Sequence, residues 1–196
     1  IPYRQLTIPC CVACNSGPLS RLEEYVAGGF ADGYVGVAAL DRGRLGLWLA
    51  KLQYGMLFRD LALAWDRRNE NRGTIVNSEW IETFRVQHLL LQAIRGSVVT
   101  PVTAPFSVLL FRCQTGEPVQ RNFDYRDSVI FPFAALRSWE VGLVAVLQDW
   151  GKLQLTASNV VSLHAATQLR LNPDQFTEVV ATVRYTASRP TTQPTY

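Results

Sequence analysis

The sequence predicts an α+β fold in which helices come first along the chain and strands follow. Before residue 100 the apolar residues recur near the helical period of 3.6, whereas beyond Pro101 they form short runs bounded by turn residues, as buried strands do. With 196 residues, of which 48% are hydrophobic and 18% charged, the chain is long enough to bury a core. A net charge of only +3 argues against a disordered chain and does not by itself indicate a nucleic-acid partner.

Three helices are predicted in the first half of the chain. They share apolar residues at helical spacing with flanking start or stop residues, and they cover residues 19–28, 44–65 and 77–96. The first is expected to end at the Gly28–Gly29 pair and the third at Gly96. Residues 1–14 alternate between apolar and polar and are expected to be extended. Asp66–Gly73 is expected to be a charged polar loop.

The second half of the chain is expected to be rich in strands. Apolar runs predict buried strands at 106–113 and 141–147, and an alternating segment after a turn predicts a hairpin at 149–155. Asn172 precedes a proline and is followed three residues later by Gln175, which predicts a capped, amphipathic late helix. Residues 188–196 are rich in threonine and proline and are expected to form a disordered tail.

Three of the cysteines lie close together near the start of the sequence. Cys11 and Cys14 form a C-x-x-C pair, which at a strand-to-helix junction brings two thiolates to one metal ion. Three interpretations remain open: half of a zinc site, a redox pair, and buried thiols without a ligand. The redox interpretation requires a helix directly after the pair, and Gly17–Pro18 delays it. Cys113 lies in an apolar run and is expected to pack as a small hydrophobic residue.

The segment Ile8–Asn15, followed by Leu19–Val26, resembles the second half of an HNH endonuclease motif. The resemblance is to bacterial proteins with a C-x-x-C-N pattern and a following L-S-x-x-E. It implies a partial ββα-metal or zinc-knuckle unit at residues 1–30, of a kind that hydrolyses phosphodiester bonds with a divalent ion. The rest of the chain then divides into a helical region, a β-rich region with a C-terminal helix, and a tail, at 31–100, 101–187 and 188–196.

The resemblance implies roles for three residues of this segment. Cys11 and Cys14 would supply half of the ligands of a structural zinc ion, and Asn15, a catalytic residue, would help to hold Mg²⁺. Because an amide oxygen is a hard donor and a thiolate is a soft one, the two kinds of residue would serve different ions. The family's general-base histidine and first C-x-x-C would lie upstream of Ile1. We therefore expect an N-terminally truncated chain that does not cleave DNA alone.

Arginines of the polar loop are a second group of candidates. Arg67, Arg68 and Arg72 could contact backbone phosphates, and each such contact would make nucleic-acid binding more sensitive to salt. Asp66 and Glu70 are interleaved with them, which favours a solvated loop whose charges pair internally. Phosphate contact is therefore the less favoured of the two interpretations.

The remaining titratable candidates have simpler explanations. His88 lies within a predicted helix and His164 in an apolar stretch, so each is expected to be packed or hydrogen-bonded rather than a general base. Asp124 and Asp127 could act as a carboxylate pair. A turn in which Arg126 pairs locally is the favoured interpretation of that segment.

Two functions from different classes follow from the sequence. The first is part of an HNH-type nuclease, with zinc and magnesium as cofactors and DNA as the partner. The alternative is a non-catalytic zinc-knuckle module that binds nucleic acid or another partner, and a thiol oxidoreductase is a weaker third. No leader is recognised and the most apolar run, Leu45–Phe58, is too short for a membrane span, so a cytoplasmic location is expected. The sequence does not indicate the oligomeric state.

Overall fold

The computed structural model describes residues 11–61, 63–66, 68–74, 76, 85–96, 105–116, 122–128 and 131–188. The chain divides into two compact units, here named unit 1 (residues 1–102) and unit 2 (residues 103–196). Among the described residues, unit 1 is built from helices and unit 2 from a five-stranded sheet with helices. Helices therefore precede the sheet along the chain, and the predicted α+β class is confirmed.

The helices of unit 1 pack on one another through apolar faces. They are α1 (Val12–Cys14), α2 (Ser20–Ala31), α3 (Gly33–Ala39), α4 (Arg42–Asp60) and α5 (Arg85–Ile94), with a turn of π-helix at Asn15–Leu19 between the first two. α2 packs against α3 and α4, and α4 packs against α5. Between α4 and α5, Gln87 Nε2 donates a hydrogen bond to Gln53 Oε1 at 3.3 Å, so this buried polar pair is satisfied internally.

The Gly28–Gly29 pair does not end the first helix, so that prediction is wrong. α2 continues to Ala31, and Gly29 serves close packing instead. A Cβ placed on Gly29 would lie 2.5 Å from Leu40 Cδ1, so the Leu40 side chain would have to move to admit one. The glycine therefore makes room for a residue outside its own helix and does not mark a turn.

The other boundaries in unit 1 are set by local hydrogen bonds. α4 begins where the Asp41 carboxylate accepts the Arg44 N–H at 2.8 Å. It ends before the predicted boundary because the chain folds back, with Trp65 N–H donating to Gly73 O at 2.9 Å. The predicted end of α5 is confirmed by Gly96, whose φ is 72°. The predicted start of that helix at 77–84, residues 1–10 and the predicted tail at 189–196 lie outside the described residues.

Unit 2 is organised around one sheet with the strand order β2-β3-β4-β1-β5. The strands are β1 (Ser107–Cys113), β2 (Phe123–Ser128), β3 (Phe133–Ser138), β4 (Val141–Val146) and β5 (Arg170–Leu171). All neighbouring pairs are antiparallel except β1 and β5, which are parallel. The two strands predicted from apolar runs, β1 and β4, lie inside the sheet and are almost entirely buried, so both predictions are confirmed.

The segment at 123–127, which was expected to turn, forms strand β2 instead. It pairs in regular antiparallel register with β3, so the prediction of a turn is wrong. The expected local pairing is nevertheless present, since Arg126 Nη2 lies 2.7 Å from Asp124 Oδ2. Residues two apart on a strand lie on the same face, which is why the pair forms without a turn.

The hairpin expected at 149–155 is also wrong, because this segment contains helix α6 (Lys152–Thr156). The Asp149 carboxylate accepts hydrogen bonds from the N–H groups of Gly151 at 3.1 Å and Leu153 at 2.9 Å. These bonds satisfy amides that a first helical turn leaves unpaired. Gly151, the N-cap of this helix, takes a left-handed conformation with φ 74°, which glycine adopts without steric cost.

The late helix is confirmed as α8 (Pro173–Ser188), which follows the shorter α7 (Val161–Thr167). Asn172 N–H donates to Gln175 Oε1, and Gln175 N–H donates to Asn172 Oδ1, each at 2.9 Å, which is the predicted capping box. The helix buries the predicted apolar face, Phe176, Val179, Val180 and Val183. Gly142 of β4 makes room for it: a Cβ there would lie 2.6 Å from the Phe176 ring and 2.8 Å from Cys113 Sγ.

Gly142→Ala is expected to lower the free energy of unfolding by about 1–3 kcal/mol, because the added methyl group overpacks the core between β4 and α8. Urea denaturation followed by circular dichroism measures the change. Gly116→Ala is the matched control, since a Cβ at Gly116 meets nothing within 4 Å. It should change the free energy by less than about 1 kcal/mol. Equal effects of the two substitutions would contradict the packing described for α8.

Candidate functional site

The segment Cys11–Asn15, here named the cysteine turn, places both candidate zinc ligands on one turn of chain. Cys11 is the N-cap of α1, with extended backbone at φ −66° and ψ 146°. The Cys14 N–H donates to Cys11 Sγ at 3.3 Å. Cys11 is exposed and Cys14 is partly exposed. Both thiols are therefore close together near the surface, and the part of the extended prediction that covered residues 12–14 is wrong, because this capped turn is helical.

Hydrogen bonds from Cys14 also shift the titration of Cys11. The pKa of Cys11 is lowered, first by a hydrogen bond from the Cys14 side chain and then by the Cys14 backbone N–H. The positive charge of Arg95 acts in the same direction. A lowered thiol pKa extends the thiolate form to lower pH, and the thiolate is the form that binds metal.

Asn15 follows the pair directly and opens the turn of π-helix. Its backbone N–H donates to Cys11 O at 2.9 Å, while its side chain is exposed and makes no hydrogen bond to another described residue. Gly17, at φ −115° and ψ −109°, separates this turn from α2 by a kink. The Asn15 side chain is thus exposed on the turn that carries the two thiols, where its amide oxygen can act as an oxygen ligand.

Cys113 and Cys10 do not belong to this site. Cys113 is fully buried in unit 2, and burial raises its pKa to about 12, so it packs as a small hydrophobic residue as expected. Cys10 lies outside the described residues. Within the ranges that the structure describes, no three histidine, cysteine, aspartate or glutamate side chains form a group that could hold a metal ion.

The two histidines lie away from the cysteine turn in sequence and are exposed on helices. His88 of α5 has Tyr54 Oη 3.4 Å from its Nδ1 and Gln92 Nε2 3.2 Å from its Nε2. This is the hydrogen-bonded histidine that the sequence favoured. His164 lies on α7 in unit 2.

The polar-loop arginines are engaged within the loop where they are described. Asp66 accepts the Arg68 backbone N–H at 2.9 Å, and its other oxygen lies 4.0 Å from Arg72 Nη1. The contact between Arg72 and Asp66 is the internal charge pairing that the sequence favoured, whereas Arg68 takes part through its backbone. Arg67 lies outside the described residues. Phosphate contact by Arg68 and Arg72 stays a prediction.

A cavity of about 320 Å³ in unit 1, here named the arginine cavity, was not found from the sequence. Arg21 and Tyr25 of α2, Arg44 of α4 and Ile94 of α5 are among its lining residues. The Arg44 guanidinium lies over the Tyr25 ring, 4.6 Å from the centroid. Among the described lining residues the two arginines are the only charged ones, so this cavity is suited to an anion.

The same end of α5 contributes to the arginine cavity and acts electrostatically on the cysteine turn. Ile94, the last residue of that helix, lines the cavity. The next residue, Arg95, is close enough for its charge to lower the pKa of Cys11. Arg21 and Tyr25 are one helical turn apart and could have been paired from sequence. Arg44 could not, because its place beside Tyr25 depends on how α4 packs on α2.

Comparison with known proteins identifies no relative: no family model, no curated protein and no solved structure matches this chain. Among the described residues, none of the helices has the length and apolar character needed to cross a membrane. The function must therefore be argued from the side chains themselves, and the cysteine turn and the arginine cavity are the features of unit 1 that offer recognisable chemistry.

Cys11 in metal-free protein is expected to react with iodoacetamide at lower pH than an ordinary thiol, because its lowered pKa leaves thiolate present there. Alkylation over a pH series, read by peptide mass spectrometry, measures each cysteine separately. Cys113 is the internal control, since its pKa of about 12 keeps it protonated and unreactive. Cys14→Ala should move the Cys11 midpoint to higher pH. A midpoint that this substitution leaves unchanged would contradict the hydrogen bonding described.

Proposed function

We propose that unit 1 carries part of the active site of an HNH-type, metal-dependent nuclease that acts on DNA. The observation that carries the proposal is the geometry of the cysteine turn, in which Cys14 donates to Cys11 Sγ and Asn15 follows with an exposed amide. In the proposal Cys11 and Cys14 bind a structural zinc ion, and Asn15 helps to hold Mg²⁺. The remaining ligands and the general base come from outside the described residues.

The chemistry of the donor atoms fits this assignment of the thiols to zinc and of the amide to magnesium. Two soft thiolates on one turn supply half of the tetrahedron that structural zinc requires. The amide oxygen of Asn15 is a hard donor, which suits magnesium and is a poor partner for a zinc–thiolate centre. Because Cys11, Cys14 and Asn15 lie on one capped turn, binding zinc through the thiols would also restrict the direction of the Asn15 side chain.

The protein's own residues would then bind and orient the nucleic acid. Arg21 and Arg44 would neutralise backbone phosphates in the arginine cavity, and Asn15 would be held at the edge where the scissile bond lies. Magnesium, when bound, would polarise the scissile phosphate and stabilise charge on the leaving oxygen. The partner in this proposal is cytoplasmic DNA, as for the bacterial proteins that the motif resembles.

The alternative is a non-catalytic zinc-knuckle module that binds nucleic acid. The arginine cavity supports it, because guanidinium groups hold phosphates whether or not the backbone is cleaved. The two functions differ in the role of Asn15, which only hydrolysis requires.

Duplex DNA is expected to bind this chain with strong salt dependence, and Arg21→Gln and Arg44→Gln should each reduce the slope of log K against log salt by about 0.9. Fluorescence anisotropy over a salt series measures the slope. Arg184→Gln, an exposed arginine of α8 in unit 2, is the matched control and should leave the slope unchanged. Identical slopes for the three variants would contradict the assignment of phosphate contacts to the arginine cavity.

The same variants, with Asn15→Ala added, separate the two candidate functions. In the product of the full gene, Mg²⁺-dependent nicking of plasmid DNA that Asn15→Ala abolishes, with binding retained, supports hydrolysis. DNA binding that depends on Arg21 and Arg44, with no nicking by the full product, contradicts the nuclease and supports the module.

A further inference from the structure

A second cavity, of about 590 Å³, lies in unit 2 between the sheet and the start of α8, and is here named the α8 cavity. Its polar lining comes from β2, β3 and α8: Asp124, Arg126, Arg137, Asn172, Asp174 and Thr177. Its volume falls within the range of about 300–1,000 Å³ that is usual for sites of small organic ligands. Nothing in the cysteine turn or the proposed nuclease activity involves this cavity.

Arg137 is the residue of this cavity that is best suited to bind a ligand. Its side chain is buried, with only 4% of the residue exposed, and among the described residues its Nη1 atom has no hydrogen-bond partner. Within the sheet it stands opposite Asp124 on one side and Gly142 on the other. Gly142 has no side chain, so it supplies no partner. Leaving a buried guanidinium nitrogen unpaired is unfavourable, because the group loses its hydration without replacement.

The carboxylate nearest in the ladder is already engaged. Asp124 Oδ2 accepts from Arg126 Nε at 2.8 Å and lies 2.7 Å from Arg126 Nη2. Arg126 Nη2 also donates to Thr177 Oγ1 on α8 at 2.9 Å, which holds that pair in place. Cys113, whose titration senses the charge of Arg137, stays a neutral thiol because its pKa is raised to about 12. Within the part of the chain that the structure describes, no carboxylate forms an ion pair with Arg137.

We propose that the α8 cavity binds a small organic carboxylate, whose oxygens pair with the Arg137 guanidinium. A planar carboxylate matches the fork of guanidinium donors and would supply the ion-pair partner that Arg137 lacks among the described residues. The capping box already uses the Gln175 N–H, so recognition depends on Arg137 and not on the start of the helix. Phe123 and Pro173 also line the cavity and give an organic ligand an apolar surface.

The charges of the lining favour one negative charge over two. Arg126 and Arg137 are balanced by Asp124 and Asp174, so the empty cavity is neutral overall. A monoanion can pair with Arg137, whereas the second charge of a dianion would face the two carboxylates. A carboxylate is therefore preferred to a phosphate monoester of similar size.

The proposal is tested by titrating the whole chain with benzoate and, separately, with phenyl phosphate at pH 8. Isothermal calorimetry measures the binding, and NMR of the Arg137 Nε–H resonance shows whether the ligand reaches that side chain. Benzoate should bind saturably, shift that resonance, and bind more tightly than phenyl phosphate. Arg137→Met should weaken benzoate binding about tenfold or more, because a hydrogen-bonded charge pair is lost. Arg184→Gln is the control and should bind like the original chain.

Arg137→Met is expected to fold, since it keeps an unbranched apolar stem in place of the arginine methylenes and removes a buried charge. If it does not fold, the resonance shift in the unaltered protein still decides the matter. Any of four results would overturn the proposal. Two of them are benzoate binding that does not saturate and benzoate binding that leaves the Arg137 resonance unmoved. The other two are benzoate binding to Arg137→Met that is equally tight, and benzoate binding to the original chain that is weaker than that of phenyl phosphate. None of these outcomes bears on DNA binding by unit 1.

Discussion

The hydrogen bonds from Cys14 to the Cys11 sulfur are the interaction on which the functional account of unit 1 depends. They close the cysteine turn, hold the two thiols near each other, and lower the pKa of Cys11. The backbone of Asn15 belongs to the same turn, because its N–H donates a hydrogen bond to the Cys11 carbonyl oxygen. If this capped turn did not form, two thiols and an amide would be separate surface groups with no common chemistry.

The fold was predictable from sequence where a signal is local. The Asn172–Gln175 capping box and the apolar runs of β1 and β4 act over a few residues, and each appears where it was expected. The hairpin at 149–155 failed for a long-range reason. Ser107 Oγ donates to Asp149 Oδ2 at 2.7 Å and accepts the Gln154 N–H at 2.9 Å, so a residue from β1 helps to build the start of α6. Alternation within the segment gave no hint of that contact.

The candidate sites divide in the same way. The cysteine turn lies within five consecutive residues, so its donors could be identified from spacing alone. The arginine cavity could not, because Arg44 reaches Tyr25 only through the packing of α4 on α2. The lack of a described partner for Arg137 Nη1 was equally hidden, since Arg137 stands opposite a glycine on β4 and beside a carboxylate that binds another arginine. Sequence reveals a donor, whereas only the fold reveals whether its partners are taken.

The central claim is that Cys11 and Cys14 together bind zinc. X-ray absorption at the zinc edge of the zinc-loaded chain tests it most directly, because sulfur ligands at about 2.3 Å are distinguished there from nitrogen and oxygen ligands at about 2.0–2.2 Å. The account predicts sulfur in the zinc shell, lost in Cys11→Ser and Cys14→Ser and kept in Cys113→Ser. A zinc shell without sulfur, or one that the Cys11 and Cys14 substitutions leave unchanged, would contradict it.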